Sequence, residues 1–322
     1  MKTIIDLYLI SGFLGSGKTT FLKQLLEQSA DKKVGVIVNE FGSVGIDGKI
    51  LQREDVTMVE INNGSIFCAC LKGGFVKTLV AFLEQPVEVL LIEASGMADP
   101  SSMKQLLGQL TVLLERRPEI NRRYEYKGSV CLVDARHFLE CCELFVPTVN
   151  QVKKSSLLIL NKIDEVSEEC ILELHNKLNE LNQEAYVYDT TFGQVPAELL
   201  EDKISPDGVL EEESSNTIRN RPATYVLQLK GKYDLKKMKE FAMEMSERVL
   251  RFKGFFLTPE GEPAHADCVG DYIRIDKLDF EDFKANIFEV VLIGKNKEDF
   301  EEDLLEKWNY CFPDQKLDYE KC

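Results

Sequence analysis

The sequence predicts an α/β fold: a doubly wound, mostly parallel sheet followed by a smaller C-terminal α+β domain. Three observations predict it. As far as about residue 190, short β-branched runs that are apolar on both faces alternate with helix-length segments, the pattern of parallel strands covered on both sides. A glycine-rich phosphate-binding pattern stands directly between the first such run and the first helix. An acidic, broken stretch then precedes a C-terminal region with a different rhythm. With 322 residues, the chain is long enough for two domains at roughly 150 residues each.

In chain order, 4–10, 34–39, 56–61, 87–93, 129–134, 156–161 and 185–189 read as strands, and 19–29, 74–84, 101–115 and 167–180 as helices. These place a first domain over 1–200. Residues 201–221, with Glu211-Glu212-Glu213-Ser214-Ser215-Asn216 between Pro206, Gly208 and Pro222, read as an acidic linker. A second domain follows over 222–322, with strands at 223–230, 251–258, 270–275 and 288–293 in an antiparallel sheet and a helix over 234–250.

Composition excludes several classes. Hydrophobic residues are 44% and charged residues 29%, and no run approaches the ~18 apolar residues of a spanning helix, so a membrane protein and a disordered chain are both set aside. Asp and Glu outnumber Lys and Arg by 55 to 39, a net charge of −16, which repels nucleic-acid backbones and anionic lipid. The nine cysteines have no regular spacing, which suits a reducing cytoplasm rather than a disulfide framework. The apolar run Ile4–Ile10 is not read as a signal peptide, because Asp6 interrupts it and no small-residue cleavage site follows.

Gly12-Phe13-Leu14-Gly15-Ser16-Gly17-Lys18-Thr19 fits G-x-x-x-x-G-K-[ST], with Thr20 opening the helix behind it. Glycines let the backbone N–H groups curl around phosphates, Lys18 reaches the β and γ oxygens, and the Thr19 hydroxyl can bind Mg²⁺. Asn161-Lys162-Ile163-Asp164 follows the apolar strand at its carboxyl end, where open α/β sheets bind ligands. It resembles the N-K-x-D signature of GTPases. The Asp164 carboxylate can accept from both the ring N–H and the exocyclic amine of guanine, a pair of donors that adenine lacks. The same four residues alone could serve as a helix cap.

With these motifs on the page, the sequence resembles the CobW-like family of P-loop GTPases, relatives of the nickel-inserting chaperones of hydrogenase and urease. The resemblance rests on Gly12 to Thr20, Asn39-Glu40-Phe41-Gly42, Gly45-Ile46-Asp47-Gly48, Glu93-Ala94-Ser95-Gly96, Val133-Asp134-Ala135, Asn161 to Asp164 and, more loosely, Arg251-Phe252-Lys253-Gly254. It implies that Glu93, at the end of a strand, holds a Mg²⁺-bound water or orients the attacking one, and that Gly96 offers its N–H to the γ-phosphate. It also implies Asp47 as a switch residue near Mg²⁺ and the γ-phosphate, with an ordinary turn at Ile46-Asp47-Gly48 as the alternative.

The family carries Cys-x-Cys-Cys after Asn-Asn-Gly and binds a transition metal there. This chain departs from that pattern: after Asn62-Asn63-Gly64 it reads Ser65-Ile66-Phe67-Cys68-Ala69-Cys70. Cys68 and Cys70 can ligate one soft ion such as Zn²⁺ or Co²⁺ only on a curved loop, with Glu40 a further candidate ligand, or they stand as unligated thiols. His265-Ala266-Asp267-Cys268 reads as an exposed loop rather than a surface metal site, Cys131, Cys141 and Cys142 as core or incidental, and Lys230, Lys232, Lys236 and Lys237 as a solvated face.

The resemblance thus implies a cytoplasmic GTPase that uses GTP and Mg²⁺ to couple metal or metallocofactor delivery to a client metalloprotein, or corrinoid-type protein, with a nucleotide-dependent homodimer as one route to activation. No arginine finger is evident in the sequence, which points to slow intrinsic turnover. The degenerate cysteine motif keeps a second reading open, a GTP-dependent interaction switch or activation factor that carries no metal. An ATP-dependent kinase is disfavoured by Asn161 to Asp164.

Overall fold

A computed structural model describes residues 3–29, 32–39, 56–61, 72–96, 98, 100–206, 223–269, 272–278, 288–295 and 299–321. The described residues fall into two compact units, 3–206 and 223–321.

The first unit is built on a seven-stranded sheet: β1 (Ile4–Gly12), β2 (Val34–Asn39), β3 (Val56–Ile61), β4 (Val89–Glu93), β5 (Arg123–Asp134), β6 (Leu157–Asn161) and β7 (Tyr186–Thr190). Their order is β3-β2-β4-β1-β5-β6-β7, and every neighbouring pair is parallel. All strands therefore end on the same edge, and each crossover that lies within the described residues carries a helix.

Helices α1 (Lys18–Gln28) and α7 (Ala197–Lys203) pack on one face, where Phe21, Leu22, Leu25, Leu26 and Leu199 meet Val36, Val130, Leu132, Leu157 and Ile159. The opposite face is covered by α2 (Lys72–Leu83) and α3 (Met103–Leu114), with Phe75, Leu79, Phe82, Leu106 and Leu110 on Leu7, Leu9, Leu90 and Ile92. Farther along that face lie α4 (Phe138–Leu144), α5 (Val146–Lys153) and α6 (Glu168–Leu181), packed on Cys131, Val133, Leu158 and Leu160. Residues 130–133 and 157–160 thus alternate between two cores, which is why these strands are apolar throughout. Each fully buried Leu or Phe contributes about 1.5–3 kcal/mol. Ser167 caps α6 by accepting from Cys170 N. The Arg122 guanidinium is buried and ties the end of α2 to β4 by donating to the Leu83, Gln85 and Val87 carbonyls.

The second unit is a six-stranded antiparallel sheet in the order β11-β10-β9-β12-β8-β13. Its strands are β8 (Thr224–Gln228), β9 (Val249–Leu257), β10 (Pro263–Val269), β11 (Tyr272–Lys277), β12 (Glu289–Gly294) and β13 (Tyr319–Lys321). Helices α8 (Leu235–Met245) and α9 (Phe300–Cys311) pack on one face around Trp308, which is fully buried among Tyr233, Phe241 and Phe312.

Several sequence expectations change. His265 to Cys268 are not in an exposed loop but in β10, where Ala264, Ala266 and Cys268 point into the core. The buried face of this strand carries small side chains, which hides its alternation. Helix α7 runs into the stretch read as linker, and its end is held when Ser205 N donates to Ser156 Oγ at 2.9 Å. Strand β5 begins at Arg123 rather than 129, and α5, α9 and β13 were not foreseen. Cys131, Cys141 and Cys142 are buried as expected, and burial pushes the Cys131 thiol up to about 12. Lys230, Lys232, Lys236 and Lys237 are exposed.

Candidate nucleotide site

Six of the seven parallel strands end on a residue that shapes one edge of the sheet: Gly12, Asn39, Glu93, Asp134, Asn161 and Thr190. The loop between β1 and α1 has the backbone its glycines permit. Gly12, Gly15 and Gly17 all have positive φ, at 139°, 76° and 99°. A Cβ at Gly12 would lie 2.4 Å from the Leu132 carbonyl, and one at Gly17 would lie 2.5 Å from Asn161 Nδ2. Gly17 caps α1 without a side chain, so the first N–H groups of the helix have no side-chain cap and can meet an anion.

Lys18 is buried at 8% exposure, and its ammonium donates to the Gly12 and Phe13 carbonyls at 2.9 and 3.0 Å. Ser16 is fully buried, and its hydroxyl has no hydrogen-bond partner among the described residues. A buried hydroxyl left in this way beside a glycine-rich turn suits phosphate oxygens, so the donor set fits a nucleotide. Thr19 donates to Glu93 Oε1 at 3.2 Å, which puts the two expected Mg²⁺-side groups in contact. Thr20 is exposed.

Glu93 is buried at 3% exposure, and Gly96 is pressed so closely on Leu14 that a Cβ would lie 2.8 Å from the Leu14 amide nitrogen. Gln151 on α5, fully buried, donates to the Gly96 and Ala98 carbonyls at 3.2 and 2.8 Å and so fixes the segment after β4. Sequence reasoning missed this glutamine, because no helix is read over 146–153 from the sequence and a lone glutamine carries no spacing signal.

Asn161 ties three segments together: its Nδ2 donates to the Ser16 carbonyl at 2.9 Å, and its Oδ1 accepts from Gly193 N at 2.9 Å. Lys162 takes a left-handed backbone, φ 63°, and its ammonium pairs with the buried Asp134 carboxylate at 2.6 Å. Asp134 closes β5 as Glu93 closes β4, a signal the sequence carried. Asp164 lies exposed in a short 3₁₀ turn, Ile163–Glu165. The expected residues Glu40, Asp47, Cys68 and Cys70 lie outside the described residues.

The family model described as CobW/HypB/UreG, nucleotide-binding domain, matches residues 6–189, more than half of the chain. The chain belongs to the CobW/HypB/UreG family. A second model, the cobalamin synthesis protein cobW C-terminal domain, matches 223–312. Among curated relatives, the chain is 30% identical over 281 residues to the zinc chaperone YjiA of Escherichia coli, covering 80% of this chain and 83% of that protein. It is 26% identical over 333 residues to the zinc chaperone CobW of Pseudomonas aeruginosa, covering 86% and 84%. It is also 26% identical over 235 residues to the zinc-regulated GTPase metalloprotein activator 1 of Saccharomyces cerevisiae, covering 65% of this chain and 53% of that protein. Membership in the CobW/HypB/UreG family makes the chain a P-loop GTP hydrolase whose cofactor is Mg²⁺. No described helix is long and apolar enough to cross a membrane.

Proposed function

We propose that the chain is a GTP-dependent metallochaperone, in which binding and hydrolysis of GTP with Mg²⁺ are coupled to delivery of a metal ion or metallocofactor to a client protein. The observation that carries the nucleotide half is the bond between Thr19 and Glu93, which joins the phosphate loop to the end of β4. In this reading Gly12, Gly15, Ser16, Gly17 and Lys18 hold the phosphates, Thr20 supports the start of α1, and Asn161, Lys162 and Asp164 hold the base. Thr19 and Glu93, with Asp47 assigned beside them from the sequence, would hold Mg²⁺, which would neutralise charge developing on the phosphate oxygens. Glu93 orients a water that attacks the γ-phosphorus as the bond to the bridging oxygen breaks, leaving GDP and phosphate. Gly96, pinned by Leu14 and Gln151, offers its N–H to the transferred group.

Support for the metal half comes from the relatives named zinc chaperones. We assign Zn²⁺ or Co²⁺ to Cys68, Cys70 and Glu40, a cytoplasmic setting, a client metalloprotein or corrinoid-type protein, and a homodimer in the GTP state. Equilibrium dialysis against Zn²⁺ with a GTP analogue and Mg²⁺ tests this reading. Wild type is expected to bind stoichiometrically, and more weakly as pH falls, because thiolates are the ligands; the Cys68→Ser, Cys70→Ser double variant is expected to lose the metal and keep the nucleotide. Wild-type binding no better than that of the double variant leaves the second reading, a GTP-dependent switch without metal. That reading draws on Ser65 and Phe67, which replace the first two thiols of the family motif.

A further inference from the structure

Phe192 combines three properties that an ordinary loop tip does not need together. Its backbone is left-handed, φ 53°, a conformation that a bulky side chain rarely adopts and that must be held by its surroundings. Those surroundings are specific. Gln24 Nε2, on α1, donates to the Phe192 carbonyl at 2.9 Å, and Gly193 N donates to Asn161 Oδ1 at 2.9 Å. Thr190 Oγ1 donates to the Gln194 carbonyl at 2.5 Å, and Gln28 Nε2 donates to the Val195 carbonyl at 3.0 Å. The turn lies on the first part of α1, for a Cβ at Gly193 would come within 3.2 Å of Phe21 Cβ. Despite all these anchors the phenyl ring is left in the open: Phe192 is 68% exposed, and its ring meets no aromatic or cationic partner among the described residues.

The anchors place the turn beside the base motif. Asn161, which accepts from Gly193, is the first residue of that motif, and Lys162, the second, is also left-handed. Strain in a bulky exposed residue, fixed by hydrogen bonds from two segments of the nucleotide site, indicates a ligand-facing role.

We propose that Phe192 stacks on the face of the purine, as a binding residue that is indifferent to the edge read by Asp164. The proposal rests on the guanine-nucleotide reading of the site. Every purine offers a π face, so stacking adds affinity without choosing among bases. Choice stays with the Asp164 carboxylate.

Calorimetric titration of GDP and of inorganic tripolyphosphate tests the proposal, with wild type, Phe192→Ala, Phe192→Asn and Phe192→Tyr. Phe192→Ala and Phe192→Asn are expected to weaken GDP by about tenfold, the scale of one base–aromatic stack, and to leave tripolyphosphate within about twofold. Phe192→Tyr retains wild-type GDP affinity. Asparagine tolerates the left-handed backbone, so Phe192→Asn is expected to keep or raise the melting temperature while binding GDP more weakly, a combination that a merely structural side chain would not give. The proposal is overturned by a Phe192→Ala variant that binds GDP within twofold of wild type, or that loses GDP and tripolyphosphate affinity alike. A wild type that prefers GDP to tripolyphosphate while Phe192→Ala changes nothing removes only the stack. A wild type that holds both ligands equally removes the base site itself.

Discussion

In the first unit a set of buried polar side chains lies on or beside the carboxyl ends of the parallel strands: Ser16, Lys18, Glu93, Ser95, Asp134, Gln151 and Asn161. In the second, the helix-covered face of the antiparallel sheet is filled by aromatic and aliphatic side chains around Trp308, with a tilted stack on Phe312 at 4.6 Å. Most of the polar groups in the first unit's set are paired within the protein, but the Ser16 and Ser95 hydroxyls have no hydrogen-bond partner among the described residues. Leaving a buried polar group unpaired costs about 1–3 kcal/mol, a cost that a bound phosphate would relieve. The contrast places the strand-end polar set in the first unit, whereas the helix-covered core of the second, around Trp308, is held by apolar packing.

The strongest break in that comparison comes from Lys18→Ala. Its ammonium is the fixed cation of the phosphate loop, and its loss is expected to lower kcat/KM for GTP by roughly 10³-fold, with the melting temperature nearly unchanged. Hydrolysis within a few-fold of wild type would contradict the loop assignment. Trp308→Ala acts on the other side. Emptying a fully buried indole is expected to cost the second unit about 3–5 kcal/mol in denaturant unfolding, while GDP affinity stays within about threefold. A GDP affinity that falls in step with stability would show that the aromatic core serves the site.

Glu93→Gln should separate reaction from binding inside the first unit. Single-turnover hydrolysis is expected to fall about 10²-fold with GTP affinity changed by less than about threefold, if the carboxylate has its proposed role on water and Mg²⁺ rather than on the base. Equal losses in rate and affinity would contradict that role.

Alkaline pH gives the smallest effect. Burial raises the Tyr124 and Tyr126 hydroxyls above their usual range and pushes the Cys131 thiol up to about 12, all in the first unit. In the second, burial pushes Cys268 up to about 12 and also raises the Tyr233 hydroxyl and the Cys311 thiol, but no tyrosine there is raised as far as Tyr124 or Tyr126. The folded state holds these groups neutral while the unfolded chain ionises near its ordinary values. Stability is therefore complete below about pH 8.5 and declines as pH rises toward 12. With a single tryptophan in the chain, Trp308 fluorescence reports the second unit alone. Far-UV circular dichroism is expected to change at a lower pH than this fluorescence, and coincident transitions would contradict the difference in burial.

How much of this was legible before the structure depends on which physical signal each element carried. The parallel strands were readable because both faces are buried, so runs such as Leu157–Asn161 are apolar throughout. Strand β10 was hidden because its core-facing positions are Ala264, Ala266 and Cys268, which carry no β-branched signature. Helix α9 places Phe300, Leu304, Trp308 and Cys311 on one face, yet Glu301, Glu302 and Asp303 make its first turn look like a solvated acidic run. At the site, the glycine-rich loop and Asn161 to Asp164 stood out because glycines and a carboxylate at fixed spacing match what a guanine nucleotide would demand. Gln151 and Phe192 were not. Their importance lies in which distant carbonyl or amide they or their neighbours meet, and no local spacing encodes that.

The claim that the strand-end cluster is one guanine-nucleotide site is tested most directly at Asp164, by competition binding of GTP and xanthosine triphosphate to wild type and Asp164→Asn. A carboxylate accepts both guanine donors, whereas an amide accepts one and sets its own N–H₂ against the other. Loss of a charge-assisted hydrogen bond costs about 1.5–3 kcal/mol, so GTP affinity is expected to fall roughly ten- to hundredfold. Xanthine puts a carbonyl where guanine has its amine, and the new amide can donate to it, so the variant is expected to shift its preference toward xanthosine triphosphate. An identical GTP to xanthosine triphosphate ratio in variant and wild type would mean that Asp164 does not read the base.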